Sequence, residues 1–121
     1  MKVIGLMSGT SADGVDAALV EIVSEDEHPR IHLVAWDSLA YPAGLRERIL
    51  HVASGGITEE VCHLNAYLGE LFAEAAVQIA RRAGVELSDV DLIGSHGQTI
   101  HHLPVPRGEG MHAVRSTLQI G

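Results

Sequence analysis

Cysteine is almost missing from this chain. Cys62 is the only one, so no internal disulfide can form and a reducing compartment, by default the cytoplasm, suits the sequence. Positive charge is also scarce: eight Lys and Arg stand against sixteen Asp and Glu, a formal net charge of -8. No basic cluster offsets that balance, which excludes nucleic acid and anionic membrane surfaces as partners, because both demand concentrated positive charge. An anionic ligand would need local help from backbone amides or a metal ion. Apolar runs stop far short of the roughly 18 residues of a membrane span, and the opening Met-Lys-Val-Ile-Gly-Leu-Met turns polar too soon for a signal peptide. Repeats, low-complexity tracts and linkers are absent too, so 121 residues are read as one compact domain. What is present is ordinary globular material, 46% hydrophobic and 20% charged, enough to build a core.

Lys2 to Met7 reads as a buried strand that ends in a Ser/Gly/Thr/Asp cluster. Val15 to Val23 alternates as a second strand with both faces partly covered, and the two would form a hairpin around Ser8 to Gly14. Ser24 to Arg30 is acidic, with His28-Pro29 as a turn signal, and Ile31 to Tyr41 follows as a third strand through Ile31, Leu33 and Ala35. Pro42 opens a short amphipathic helix carried by Leu45, Ile49 and Val52, which Ser54-Gly55-Gly56 ends. A longer helix spans Thr58 to Ala83, with Thr58 as its cap, Glu59 and Glu60 at the positive end of the dipole, and Arg81, Arg82 and Gly84 at the close. Its apolar stripe is Val61, Leu64, Leu68, Leu71, Phe72 and Ala75. Val90 to Gly94 reads as a fourth strand delivering Ser95-His96-Gly97-Gln98-Thr99 to its carboxyl end, where ligand-binding loops concentrate. Pro104, Pro106, Gly108 and Gly110 make a loop before a short strand from Ala113 to Ile120. This order predicts an α/β layer in which a meander edge joins a parallel strand across a helical crossover.

Gly5-Leu6-Met7-Ser8-Gly9-Thr10-Ser11-Ala12-Asp13-Gly14-Val15-Asp16 carries the main chemical signal. Glycines at 5, 9 and 14 permit positive φ and close approach of a ligand, while Ser8, Thr10 and Ser11 offer hydroxyls. Successive amides of such a turn can nest phosphate oxygens without a lysine. Neither a P-loop nor a Rossmann glycine pattern is present, since no Gly-Lys-Ser/Thr follows and the cluster runs into a strand. Asp13 and Asp16 would repel phosphate unless a divalent cation intervened, and magnesium, held by few carboxylates plus water and phosphate oxygens, is the natural mediator. The plainer reading is a polar hairpin with Asp13-Gly14 at its tight corner. Elsewhere, His96, His101, His102 and His112 lack the accompanying ligands of a zinc site, and Ser95-His96 has no nucleophile elbow around it. Trp36 and Tyr41 read as core or edge packing on the third strand more readily than as a sugar-stacking platform.

The Gly5 to Asp16 segment resembles the opening signature of anhydro-N-acetylmuramic acid kinases, in which Gly-Leu-Met-Ser-Gly-Thr-Ser is followed by a variable residue and then Asp-Gly-Val-Asp. Ile93-Gly94-Ser95-His96-Gly97-Gln98-Thr99-Ile100-His101-His102 and Ser116-Thr117-Leu118-Gln119-Ile120-Gly121 match further family segments in the same order. The resemblance implies a ribonuclease-H-like lobe of the actin/hexokinase ATPase type, a mixed sheet with flanking helices. Residues 1–121 would be the N-terminal lobe, with the second lobe outside this chain. It implies ATP-dependent conversion of 1,6-anhydro-N-acetylmuramic acid to N-acetylmuramic acid 6-phosphate with hydrolytic opening of the anhydro ring, a step of cell-wall recycling. By the same resemblance Gly9, Thr10, Ser11, Ala12, Asp13, Gly14, Val15 and Asp16 would hold the ATP phosphates, Asp13 and Asp16 acting through magnesium or water. His96 and Gln98 would contact the sugar, and the general base would lie beyond Gly121. A polypeptide of this length alone is then expected to be inactive. A homodimer is compatible with the sequence. The alternative from a different class is a noncatalytic nucleotide-binding or assembly module that keeps the phosphate turn without a second lobe.

Overall fold

A computed structural model describes residues 1–25 and 28–121. Strand β1 (Lys2–Ser8) alternates cleanly: Ile4, Leu6 and Ser8 are buried, Gly5 and Met7 exposed. It is therefore covered on one face only, where an apolar run alone had suggested burial of both. β2 (Gly14–Glu25) returns antiparallel beside it, burying Val15, Ala17 and Leu19 on the same side. β3 (His28–Ala40) pairs antiparallel with β2 along its whole length. Because Glu25 pairs with His28 and Ser24 with Pro29, the expected His28-Pro29 turn is strand. The centre of that turn, residues 26 and 27, lies outside the described residues. A bulge at Val34 changes the phase of β3, so Leu33 pairs with Val20 and Ala35 with Leu19. Ile31, Leu33 and Ala35 thus do not share a face, since one extra residue swaps the two sides of everything before it.

Helix α1 (Leu45–Ala53) buries Leu45, Ile49 and Val52, and Ser54 closes it by donating its hydroxyl to the His51 carbonyl at 2.9 Å. Helix α2 (Thr58–Arg82) lays Leu64, Leu68, Phe72, Ala75, Ala76, Ile79 and Ala80 across the sheet, and burying each of the large ones contributes about 2 kcal/mol. Thr58 is the first helical residue and not the cap. Ile57 holds the cap position in extended conformation, without a side-chain bond to the helix. Glu59 and Glu60 still sit in the first turn and Arg81 and Arg82 in the last. Val85 N–H then reaches back to the Ala80 carbonyl, which ends the helix at Gly84.

After a single 3₁₀ turn at Leu87–Asp89, β4 (Leu92–Glu109) runs parallel to β1 and then antiparallel to β5 (His112–Ile120). The sheet order is β3-β2-β1-β4-β5, the meander plus parallel crossover expected. Two expected loops are strand instead. Residues 95–99 lie inside β4, and so do Pro104 and Pro106, tolerated because the pairing skips from Leu103 to Arg107 there and no ladder bond requires their missing N–H. The helices cover one face of the sheet. On the other, Met7, Leu33 and Trp36 stand exposed.

Candidate phosphate-binding hairpin

The turn between β1 and β2 is closed by Ala12 N–H donating to the Gly9 carbonyl at 3.1 Å. Positive φ occurs at Ala12 (52°), buried to 1% exposure, and not at Gly5, Gly9 or Gly14. A left-handed alanine is strained by about 1 kcal/mol, and such strain persists only when the surroundings enforce it. Gly14 has a different reason for being glycine: a Cβ there would sit 2.3 Å from the Leu39 carbonyl oxygen, so only hydrogen lets β3 approach.

Four carbonyls of the hairpin are tied into the protein. Gly9 accepts from Ala12 N–H and from Gln98 Nε2 (3.1 Å), Ser11 from Arg46 Nε (2.9 Å), Asp13 from Tyr41 N–H (2.8 Å) and Gly14 from the Ser8 hydroxyl (2.7 Å). Among the described residues, none donates or accepts a hydrogen bond with the amides of Thr10, Ser11 or Asp13. With these four carbonyls engaged and these three amides free, the turn presents a polarity that suits an anion. Arg46, on the first turn of α1, adds a positive charge beside it in a chain that is otherwise acidic.

Asp13 and Asp16 are both exposed, and Asp13 accepts from Ser11 Oγ at 2.7 Å. Among the described residues no group of three or more His, Cys, Asp or Glu could hold a metal ion. Two exposed carboxylates at the exit of the turn nevertheless fit magnesium, which takes most of its ligands from water and phosphate. Val15, expected with the phosphate residues, points into the core.

The two candidate sugar residues part company. β4 gains one residue relative to β1 where the pairing passes from Leu6–Ser95 to Ser8–Gln98, and Gly97 takes φ 72° there. Strict alternation would put Gly94, His96 and Gln98 on one face. The bulge leaves His96 exposed on the uncovered face and turns Gln98 inward to 0% exposure. His96 Nε2 lies 2.9 Å from Gln119 Nε2, and that amide also donates to Thr99 Oγ1 at 3.3 Å. His96 Nδ1 lies 3.2 Å from the Gly97 carbonyl, so a neutral ring protonated on Nδ1 satisfies every contact. His96 borders a shallow depression of about 670 Å³ with Met7, Asp16, Leu33, Trp36 and Gly94. Trp36, read as core or edge packing, lies on the edge strand β3 and borders this open surface. Gln119 sits in a segment the sequence had singled out. Nothing local marked Arg46 or Ser8 as supports of the turn.

A strand meander continued through a helical crossover into a parallel strand, with a glycine- and hydroxyl-rich hairpin at the carboxyl end of β1, defines the N-terminal lobe of the sugar-kinase and actin-like ATPase fold. A family model described as anhydro-N-acetylmuramic acid kinase matches residues 1–121, and the chain belongs to that family. It is similar to the anhydro-N-acetylmuramic acid kinase of Caldanaerobacter subterraneus (46% identical over 121 residues, 98% of this chain). Those of Gloeobacter violaceus (43% over 120 residues, 98% of this chain) and Bacillus cereus (40% over 123 residues, 100% of this chain) are similar as well. The chain spans 31% of the length of each of these three relatives.

Proposed function

We propose that this chain supplies the phosphate-binding lobe of an ATP-dependent kinase that converts 1,6-anhydro-N-acetylmuramic acid to N-acetylmuramic acid 6-phosphate, opening the anhydro ring with water in the cytoplasm. The observation that carries the reading is the polarity of the Gly9–Asp13 turn, where the carbonyls of Gly9, Ser11 and Asp13 are engaged while the amides of Thr10, Ser11 and Asp13 remain free. These amides and the Thr10 hydroxyl hold phosphate oxygens, the Ser11 hydroxyl orients Asp13, and Arg46 offsets the phosphate charge. Asp13 and Asp16 orient magnesium through water. When bound, that ion neutralises charge developing on the transferred phosphoryl group. His96, exposed beside Asp16, orients the sugar. Little bond-making falls to these residues, because phosphoryl transfer depends chiefly on alignment and charge stabilisation. The base that activates water is assigned to the greater part of the relatives' length, which this chain does not span.

The test is ATP-dependent phosphorylation of the anhydro sugar by the intact protein, with Asp16→Asn beside it. We expect turnover in the former and a fall in kcat/KM of about 100-fold in the latter, equivalent to about 2.7 kcal/mol. ATP binding without any turnover would return the chain to the noncatalytic module.

A further inference from the structure

Ser8 and Gln98 are the two polar side chains, among the described residues, that are buried to 1% exposure or less. They lie 90 positions apart in the chain and bond to each other, Ser8 Oγ to Gln98 Oε1 at 2.6 Å. Burying a primary amide is costly unless each of its donors and acceptors is matched. Here they are matched: Gln98 Nε2 donates to the carbonyls of Gly9 (3.1 Å) and Thr99 (3.1 Å), while Oε1 faces the serine. The opposite amide orientation would set Oε1 against two carbonyl oxygens, so the chemistry fixes which end points where. The single Ser8 proton is shared between Gln98 Oε1 and the Gly14 carbonyl at 2.7 Å. Both ends of the turn, Gly9 at its entry and Gly14 at its exit, are thereby connected to one residue of β4.

We propose that Gln98 is a positioning residue for the phosphate turn, acting through Gly9 and Ser8, and that it does not touch the sugar. Its side chain reaches no solvent, and the β4 bulge at Gly97 exists at the place needed to turn it inward. A Cβ on Gly97 would stand 3.0 Å from the Ile120 carbonyl oxygen, in addition to the strain of positive φ, so the bulge needs glycine. The consequence is a division of labour between residues on either side of Gly97: His96 faces the open surface, and Gln98 sets the geometry of the turn from behind. A fully satisfied buried network of this kind fixes one arrangement of the backbone it joins.

This inference rests on the proposed function only for its kinetic readout, so a second readout is taken without ligands. Gln98→Met keeps the length of the side chain and removes its hydrogen bonds. In the intact protein, hydrogen exchange at the Ala12 amide, which bonds the same Gly9 carbonyl, should accelerate about tenfold in this variant. The KM for ATP should rise about tenfold while the KM for the sugar stays within about twofold. Ser8→Ala, which leaves the Gln98 to Gly9 bond in place, should move both readouts in the same direction by less. It decides the matter alone if the methionine variant does not fold. Unchanged Ala12 exchange, or a sugar KM raised with the ATP KM intact, would overturn the proposal. If the unaltered protein phosphorylates no sugar, the kinase reading fails by itself, and the exchange data still decide whether Gln98 holds the turn.

Discussion

Tyr41 follows directly on β3 and its backbone N–H holds the Asp13 carbonyl, yet its hydroxyl is buried with no hydrogen-bond partner among the described residues. Burial pushes the Tyr41 phenol above its ordinary 10.0; the nearby Ser8 hydroxyl opposes the rise and the Asp13 charge adds to it. A phenol that ionises later in the folded chain than in the unfolded one withdraws stability as pH climbs above that ordinary value. Tyr41→Phe should therefore leave the melting temperature unchanged or raise it by up to about 4 °C, and should weaken the alkaline loss of stability seen by thermal melts above pH 10. At this scale the sequence was partly legible. The hairpin around Ser8 to Gly14 could be read because its turn residues are contiguous. Arg46, 35 positions from Ser11, could not, since only the folded path of α1 brings its guanidinium to the turn. The inward rotation of Gln98 was hidden as well, because it depends on a bulge that alternation alone does not reveal.

The clearest tie between elements outside the turn is Asp37 of β3. It accepts from Gln78 Nε2 at 3.2 Å and pairs with Arg82 Nη1 at 2.8 Å, clasping the edge strand to the last turns of α2. The Arg82 hydrogen bond foremost, then those from Gln78 and the Ser38 amide, hold the Asp37 carboxyl below its usual 3.8. A depressed carboxyl contributes stability above the unfolded value and loses it as pH falls through the folded one. Thermal melts should accordingly show Asp37→Asn less stable than the unaltered chain at neutral pH, with the gap closing below about pH 4. Absence of the gap at neutral pH would mean that the pair is broken in solution, and a gap that persisted in acid would mean that it does not come from the ionised carboxylate. Among elements, α1 and α2 were legible because their 3.6-residue stripes are long and amphipathic. β4 was not: glycines and prolines that ordinarily break structure are absorbed at two bulges, so one strand of 18 residues took the guise of a strand, a site loop and a connector. Tertiary pairing overrode local propensity there.

For the molecule as a whole, the asymmetry of the sheet is the dominant fact. Both helices cover one face, and Trp36, 63% exposed, lies on the other with Met7 and Leu33. As the chain has a single tryptophan, its fluorescence reports that face alone. The 121-residue chain should show red-shifted emission and efficient quenching by acrylamide, a neutral quencher unaffected by the net charge of -8. Blue-shifted, protected emission would mean that the face is covered in solution. The meander and the crossover were foreseen in outline because strand succession and helix length constrain topology strongly.

One property of the β1–β4 seam concerns time. The β1–β2–β3 meander and the β4–β5 hairpin each join residues close in sequence, whereas Ser8 meets Gln98 across 90 positions. Contacts of such separation close late, after local ones have formed. A ribosome releases the β1–β2 hairpin first, and at roughly 5–20 residues per second its partner strand emerges several seconds afterwards. Through that interval the hairpin has only its own bonds, Ala12 to Gly9 and Ser8 to Gly14, and the ties from Gln98 arrive with the docking of β4.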